Sequence, residues 1–329
     1  IFTPMKIESF PRKLFLFRNN LCMFAQTQNE LHNMKHMSIL AVSLLALVAC
    51  TPEKKQEADY SQYVNPMIGT DFTGNTYPGA QVPFGMVQLS PDNGLPGWDR
   101  ISGYFYPDTT IAGFSHTHLS GTGAGDLYDI SFMPVTRPYK EAPAPLGIYS
   151  TFSHNDEAAS AGYYRVLLKD YNINVELTAT ERCGIQRYTF PEAEASVFLN
   201  LKKAMNWDFT LDSKIEVVDS TTIRGYRLSQ GWSPLQHVYF ETRFSKPFVA
   251  CHMDTTSIVT KEKGWIGTAY VARFDFNTKK DEEILVTTGI SGVSMEGAGK
   301  NLRAEAPKDD FDYYQAQASA NWNRQLSKI

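Results

Sequence analysis

The sequence has few cysteines, no long hydrophobic run and no excess of basic residues. Its 329 residues include only four cysteines, too few for a disulfide-dense fold. The longest apolar stretch, residues 39–49, spans 11 residues, whereas a membrane-spanning helix needs about 20. Lys and Arg number 31 against 35 Asp and Glu, a formal net charge of −4. Nucleic-acid binding driven by positive charge is therefore excluded.

What the sequence does contain is typical of a folded protein with a substantial core. Hydrophobic residues make up 43% of the chain and aromatic residues 13%. A disordered chain would have few aromatic residues and a larger net charge. The length allows one large domain or two ordinary ones.

The first fifty residues predict export of the protein. Lys35 precedes the apolar stretch 39–49, and small residues end this stretch before Cys50, as in a secretory signal peptide. Residues 47–50, Leu-Val-Ala-Cys, resemble a bacterial lipobox, whose cysteine thiol is lipidated and becomes the new N-terminus. The alternative is a buried apolar helix followed by a chance cysteine.

The polar stretch 51–59 favours the lipoprotein interpretation, because it has the composition of a solvated tether. We therefore predict a lipoprotein signal peptide over residues 34–50, preceded by an untranslated or leader segment over 1–33. The mature protein is expected to be an exported bacterial lipoprotein, periplasmic or at the cell surface, anchored to a membrane through Cys50.

Residues 60–291 are mainly β in pattern. Short segments of alternating or clustered apolar and β-branched residues are separated by turn residues, with no helical pattern between them. These segments are 162–168, 173–180, 184–190, 195–201, 214–218, 222–226, 237–244, 268–276 and 283–288. The spacing predicts an antiparallel β-sandwich. Cys183 and Cys251 within it are either a disulfide or two separate buried thiols.

Residues 292–329 have a helical pattern. A short helix is predicted over 294–306, ended by Pro307, and Asp309 or Asp310 can cap a second helix. Apolar residues form one stripe along this second helix: Phe311, Tyr314, Ala318, Trp322 and Leu326. We expect the stripe to dock on a partner domain, so that 292–329 acts as a helical linker.

Residues 63–135 are rich in loops and carry the most distinctive chemistry. His116 and His118 are followed by the glycine-rich stretch 121–125 and then by Asp126. Two histidines at this spacing could ligate a metal, but no nearby residues complete the site. A phosphate loop would need a lysine and a following helix. The same residues could bind sugar hydroxyls, or the histidines could be structural residues of a turn.

Several motifs in this region resemble glycoside hydrolase family 92, the bacterial exo-acting α-mannosidases. They are residues 64–70 (VNPMIGT), 78–86 (PGAQVPFGM), 90–92 (SPD) and 113–123 (GFSHTHLSGTG). The resemblance continues through Arg182, residues 187–191 (RYTFP), Asn301, Leu302, Trp322 and Leu326. It covers nearly all of residues 60–329.

The resemblance implies an N-terminal β-sandwich of the galactose-mutarotase-like supersandwich type, joined by a helical linker to an (α/α)6 barrel. It implies calcium-dependent hydrolysis of terminal α-mannose residues in glycans, with inversion. The family's catalytic acids and calcium ligands lie mainly in the barrel, which we expect to be absent from this chain. No catalytic residue or metal ligand is therefore assigned here, and the chain alone is expected to be inactive.

The family's sandwich loops reach the substrate pocket at the interface between the two domains. The matching candidates for substrate binding are Trp98, Asp99, Tyr104, His116, His118 and Asp126. Trp98 would stack on a sugar ring, while the histidines and Asp126 would bond hydroxyls or hold the glycine loop in place. The alternatives are a stand-alone carbohydrate-binding lipoprotein and a structural sandwich without a ligand.

Overall fold

A computed structural model describes residues 58–329, apart from residues 122, 124, 204–205 and 261–264. The leader segment, the signal peptide and Cys50 lie outside the described residues. Within them, no helix is both long and apolar enough to cross a membrane.

The described residues form eighteen β-strands and two α-helices. In chain order the strands are β1 (Ser90–Asp92), β2 (Thr110–Ile111), β3 (Gly113–Ser115), β4 (Ser131–Thr136), β5 (Glu141–Ala142), β6 (Gly147–Ile148), β7 (Ser150–Thr151), β8 (Glu157–Ser160), β9 (Tyr163–Leu168), β10 (Ile173–Ala179), β11 (Cys183–Phe190), β12 (Ala193–Asn200), β13 (Phe209–Val217), β14 (Thr222–Gln230), β15 (Gln236–Phe244), β16 (Ala250–Thr260), β17 (Trp265–Thr278) and β18 (Glu282–Ser291). The helices are α1 (Met295–Glu305) and α2 (Phe311–Leu326).

Two antiparallel sheets make up the body of the fold. One has six strands in the order β1-β3-β4-β12-β17-β16, and the other has eight in the order β13-β14-β15-β18-β11-β10-β9-β8. The strands β2 and β7 form a small pair, as do β5 and β6. The predicted antiparallel β-sandwich is confirmed, and each of the nine predicted segments overlaps a strand.

The core lies between the two sheets and is rich in aromatic side chains. Phe244 of the eight-stranded sheet packs against Phe132 and Phe274 of the six-stranded sheet, with ring centroids 6.4 and 5.2 Å apart. All three rings are almost fully buried. Alternation along each strand places such residues inward, which is why the strand pattern was readable from the sequence.

The two helices pack on the outer face of the eight-stranded sheet. Ser294 caps α1 by accepting a hydrogen bond from the amide of Gly297, and Asp310 caps α2 by accepting one from the amide of Tyr313. A second apolar cluster joins the helices to the sheet: Cys183, Ile185, Leu285, Leu302, Ala306, Phe311 and Tyr314. Both predicted helices, and the cap at Asp310, are confirmed.

The apolar stripe of α2 docks on the sandwich itself, so the expectation that it packs against a partner domain was wrong. Phe311, Tyr314 and Ala318 are buried against the sandwich. The indole Nε1 of Trp322 donates to the carbonyl of Gln81 at 2.7 Å. The outer face of a sheet has apolar residues of its own to cover, and a neighbouring helix does so.

The two cysteines of the sandwich are separate free thiols. Cys183 is buried under the helices, and burial raises its pKa to about 12. Cys251 lies half-buried on β16. The sequence left open whether Cys183 and Cys251 form a disulfide, and in the structure they do not.

Candidate functional site

The glycine-rich loop and the turn between β14 and β15 together line a cavity of about 490 Å³. Its walls combine backbone, apolar and polar groups: Leu119, Ser120, Gly121, Gly123, Asp126, Leu127, Trp232, Ser233 and Gln236. We call this cavity the loop cavity. Its size lies within the range of about 300–1,000 Å³ typical of small-molecule sites.

Asp126 ties the two walls of the loop cavity together. Its Oδ2 accepts hydrogen bonds from the amide of Trp232 at 2.6 Å and from Nε2 of Gln236 at 3.1 Å. Its Oδ1 is buried and has no hydrogen-bond partner. An acceptor of this kind at a cavity wall is suited to a hydroxyl donor.

Two tryptophans stand beside the glycine loop. Trp98 and Trp207 meet edge to face with ring centroids 6.0 Å apart, and 53% and 48% of their surfaces are exposed. The side chain of Asn206 accepts from the amide of Gly97, and the amide of Trp207 donates to the carbonyl of Gly125. Residues 206–207 therefore connect the Trp98 turn to the glycine loop.

Asp99 lies on the same short turn as Trp98 and is partly exposed. The next residue, Arg100, donates from Nε to Asp108 at 2.7 Å, which fixes the turn. The structure thus brings Trp98, Asp99 and Asp126 into one region around the glycine loop. These three are the surface-accessible or cavity-lining members of the six predicted site residues.

A buried charged network lies beneath this region. Nη1 of Arg227 donates to Asp129 at 2.7 Å, and its Nη2 donates to Asp208. Asp208 also accepts from the amide of Leu127 at 3.2 Å, and Asp129 accepts from the hydroxyl of Thr117 at 2.6 Å. Burial raises the pKa of Asp208, although Arg227 opposes this. The network fixes both sides of the glycine loop.

The backbone just after Asp126 is strained. Leu127, Tyr128 and Ile130 have φ values of +81°, +71° and +56°, in the left-handed region that side chains other than glycine rarely adopt. Such conformations cost of order 1–3 kcal/mol each and persist only where the surroundings impose them. The Asp208 and Asp129 contacts supply that constraint.

His118 is buried and holds loop segments together. Its Nδ1 lies 2.7 Å from the carbonyl oxygen of Gln88, and its Nε2 lies 2.8 Å from Asp92 Oδ1. The hydroxyl of Ser115 also lies 3.1 Å from Nε2, so His118 links the Gln88 backbone to Ser115 and Asp92.

His116 is fully buried and neutral. Its Nδ1 donates to the carbonyl of Ile130 at 2.8 Å, and its Nε2 has no hydrogen-bond partner. Burial lowers its pKa from 6.5 to about 4. The two histidines do not form a metal centre: among the described residues, no group of three or more His, Cys, Asp or Glu side chains could hold an ion.

Tyr104 lies inside the protein, where its hydroxyl donates to the carboxylate of Glu157. Burial, with the nearby charge of Glu157, raises its pKa well above the usual value. The structure therefore buries Tyr104, His116 and His118, whereas Trp98 and Asp99 are exposed or partly exposed and the buried Asp126 lines the loop cavity.

Sequence reasoning missed several residues of this region. Trp207, Trp232 and Gln236 surround the glycine loop, yet they lie about 80 to 115 positions from it in the chain. The available signal was the presence of Trp207 and Trp232 in turn-like segments between strands. An aromatic residue in such a place is exposed unless the loop is buried.

Comparison with known proteins identifies relatives of the chain. The sequence profile described as the glycosyl hydrolase family 92 N-terminal domain matches residues 63–291. An "uncharacterized secreted glycosidase" from Arthroderma benhamiae is 26% identical over 90% of this chain and 41% of its own length.

Solved structures described as family GH92 mannosidases also match the chain. A family GH92 α-mannosidase from Bacteroides thetaiotaomicron, solved in complex with mannoimidazole, matches with 37% identity and a TM-score of 0.74 over 82% of this chain and 37% of its own. A family GH92 inverting mannosidase from the same organism matches with 25% identity and a TM-score of 0.67, over 83% and 36%. The chain thus spans about two fifths of the length of these relatives.

Proposed function

The chain belongs to glycosyl hydrolase family 92, since it matches the N-terminal domain of that family. On this basis we propose that it is the N-terminal domain of an exported glycosidase that releases terminal α-linked mannose from glycans. In this proposal the sandwich presents the glycine loop and its tryptophans to the substrate, and a further domain of the family supplies the catalytic carboxylates. The relative described as a secreted glycosidase supports export. Attachment to a membrane through a lipid on Cys50 is part of the proposal.

The observation that carries the proposal is the pair Trp98 and Trp207 beside the loop cavity. Half-exposed aromatic rings offer flat apolar faces, on which the C–H face of a pyranose ring can pack. Asp126 lines the adjoining cavity with a buried, unpartnered carboxylate oxygen, which can accept from a sugar hydroxyl. We assign sugar contact to Trp98, Asp99 and Asp126, and support of the loop to Tyr104, His116 and His118.

Inversion and calcium dependence also belong to the proposal. An inverting glycosidase needs two carboxyl groups about 6.5–9.5 Å apart, one acting as acid and the other as base. We place that pair outside this chain. Calcium prefers six to eight oxygen ligands, including carboxylates, and the described residues contain no cluster that fits this requirement. We therefore assign the ion to the catalytic domain and derive no step through it.

The test is a binding measurement combined with an activity measurement on the 329-residue chain. With an α-linked mannobiose, we expect no release of mannose, either with calcium or with a chelator. With α-methyl mannoside, saturation-transfer NMR should show binding that Trp98→Ala weakens about tenfold. Tyr313→Ala, which removes an exposed aromatic ring on α2, should leave binding unchanged.

Calcium-dependent release of mannose by this chain would overturn the assignment of catalysis to a further domain. Equal binding by wild type and Trp98→Ala would overturn the role of the tryptophan pair.

A stand-alone carbohydrate-binding domain is the second candidate function. One observation favours it: the loop cavity, of about 490 Å³, already lies within the size range of small-molecule sites. Tight binding of mannosides by the chain, with α-methyl glucoside rejected, would support this candidate. Weak binding that becomes tight only with a family catalytic domain present would exclude it.

A further inference from the structure

A second cavity, of about 360 Å³, lies on the outer face of the six-stranded sheet. It lies beneath the hairpin formed by β5 and β6, whose residues 141–142 and 144–148 contribute to its walls. The remaining lining residues are Ala112, Ser131, Met133, Phe198, Asn200, Lys202, Lys203 and Val271. It shares no lining residue with the loop cavity. We call it the hairpin cavity.

Register places the floor of the hairpin cavity on one face of the sheet. Asn200 of β12 lies opposite Ser131 of β4 on one side and Val271 of β17 on the other. Phe198 lies opposite Met133 in the next row. Side chains two residues apart on a strand share a face, so these five form a continuous surface. Most of the wall, including the hairpin residues Pro145, Leu146 and Ile148, is apolar.

Lys203 is the exceptional member of this wall. Only 7% of its side-chain surface is exposed, and its Nζ has no hydrogen-bond partner. The closest carboxylate oxygen is Oδ2 of Asp92, at 3.8 Å. Lys is almost never buried without a partner, because moving an ammonium group out of water is expensive unless it is paired and hydrogen-bonded.

Asp92 does not satisfy the Lys203 ammonium, because its closest contacts are to other residues. Oδ1 of the fully buried Asp92 lies 2.8 Å from Nε2 of His118 and accepts from the hydroxyl of Ser115 at 3.1 Å. Asp92 thus has other partners and lies beyond hydrogen-bond distance of Nζ, so a protonated Lys203 is a buried cation without a hydrogen-bonded counter-charge. Burial accordingly lowers its pKa, with Asp92 opposing. The other charged residues lining the cavity, Glu141 and Lys202, are exposed to solvent.

We propose that the hairpin cavity binds a small organic monocarboxylate. The carboxylate pairs with the Lys203 ammonium and supplies the missing charge and hydrogen-bond acceptor. The hydrocarbon part packs on the apolar wall formed by Met133, Ile148 and Phe198. A wholly polar anion would leave this wall uncovered, and a neutral apolar molecule would leave the ammonium unpaired. This combination identifies the ligand as amphipathic and singly charged.

The test uses hexanoate as the probe, with hexan-1-ol and inorganic phosphate as comparators. Titration calorimetry on the 329-residue chain at about pH 7 should show hexanoate binding at least about tenfold more tightly than either comparator. Lys203→Met keeps the shape and removes the charge, and it should weaken hexanoate binding at least about tenfold. The matched control Lys202→Met removes the adjacent, exposed lysine and should change affinity less than about twofold.

Two further measurements do not depend on the Lys203 variant folding. Ala142→Phe fills the cavity from the hairpin and should abolish hexanoate binding. In the wild type, affinity should fall as pH rises from about 7 to about 10, since the amine loses its proton while the carboxylate stays charged. Hexanol or phosphate binding as tightly as hexanoate, undiminished binding by folded Lys203→Met or by Ala142→Phe, or an affinity independent of pH would each overturn the proposal.

Discussion

Arg227 donates from Nη1 to Oδ1 of Asp129 at 2.7 Å, and neither side chain reaches solvent. The two residues lie 98 positions apart in the chain. Arg227 also binds Asp208, so one guanidinium holds two buried carboxylates. This contact joins β14 to the segment after the glycine loop.

Replacing Arg227 by Met should lower the free energy of unfolding by about 3–5 kcal/mol, because it leaves two buried carboxylates unpaired. Arg224 offers a matched control on the same strand, where it pairs with Glu216 near the surface. Arg224→Met should change the free energy by less than about 1 kcal/mol. Urea unfolding monitored by tryptophan fluorescence measures both variants. Equal decreases in the free energy of unfolding for the two variants would mean that the buried Arg227 network stabilises the fold no more than a surface ion pair does.

His116 should make the fold sensitive to acid. Its pKa is lowered from 6.5 to about 4 by burial, so the unfolded chain binds more protons than the folded one between these values. Its contribution is fully present above about pH 6.5 and is lost as pH falls towards about 4, up to about 3 kcal/mol. His116→Asn, which does not titrate, should show a smaller loss over this range when urea unfolding is repeated at several pH values. Parallel curves for the two proteins would contradict the assignment.

Gly162 should be intolerant of a side chain because α2 packs against it. Its φ is +82°, and a Cβ there would lie 2.8 Å from the Cβ of Ala318. Gly147 also has a positive φ, +66°, but a Cβ there would meet no atom within 4 Å. Gly147→Ala should lower the free energy of unfolding by about 1–2 kcal/mol, because of the backbone conformation alone. Gly162→Ala should lower it by about 1–3 kcal/mol more, because of the added clash with α2. Thermal unfolding measures both variants. Equal melting temperatures of Gly162→Ala and Gly147→Ala would show that α2 does not pack tightly against Gly162.

Asp126 should hold the turn between β14 and β15 in place. Asp126→Ala leaves the Trp232 amide without its acceptor, so this amide should exchange with deuterium faster than in the wild type. The expected loss of unfolding free energy is about 1–3 kcal/mol. Asp99→Ala, on a neighbouring surface turn, serves as the control and should leave Trp232 exchange unchanged. Unaltered exchange in Asp126→Ala would show that the turn does not depend on this carboxylate.

Cys50 should decide where the protein is found. Cys50→Ser removes the thiol that the lipobox lipidates, so the protein should move from the membrane fraction to the soluble one when expressed in a bacterium. Cys22→Ser, in the segment before the predicted signal peptide, should stay with the membrane. Fractionation with immunodetection measures both variants. Membrane association of Cys50→Ser would refute the anchor.

The sandwich was predictable because most of its strands are half-buried, which leaves alternating apolar residues in the sequence. The missed strands lack this signal. β16 is an edge strand whose residues His252, Asp254 and Thr256 are exposed, so its sequence reads as polar. β1 contains Pro91 and β3 begins at Gly113, which favour a loop assignment.

The candidate site was only partly predictable, since residue type does not determine burial. His118 and Trp98 both looked suited to sugar binding, but His118 is enclosed by Asp92, a residue 26 positions away. The Trp98–Trp207 pair depends on a contact across more than a hundred positions. Neither contact has a local signature, because both are set by how the strands assemble.

The positive φ values of Leu127, Tyr128 and Ile130 have a consequence for transplanting the glycine loop into another protein. Their conformation is held by two distant residues: Asp208, 81 positions from Leu127, accepts from the Leu127 amide, and Arg227, 98 positions from Asp129, donates to that carboxylate within the segment. A segment whose shape is dictated from outside does not carry that shape with it. Grafting the glycine loop alone onto another scaffold would therefore transfer its sequence but not its backbone conformation. A graft that also includes β14 and residues 206–208 would transfer the contacts that hold this conformation.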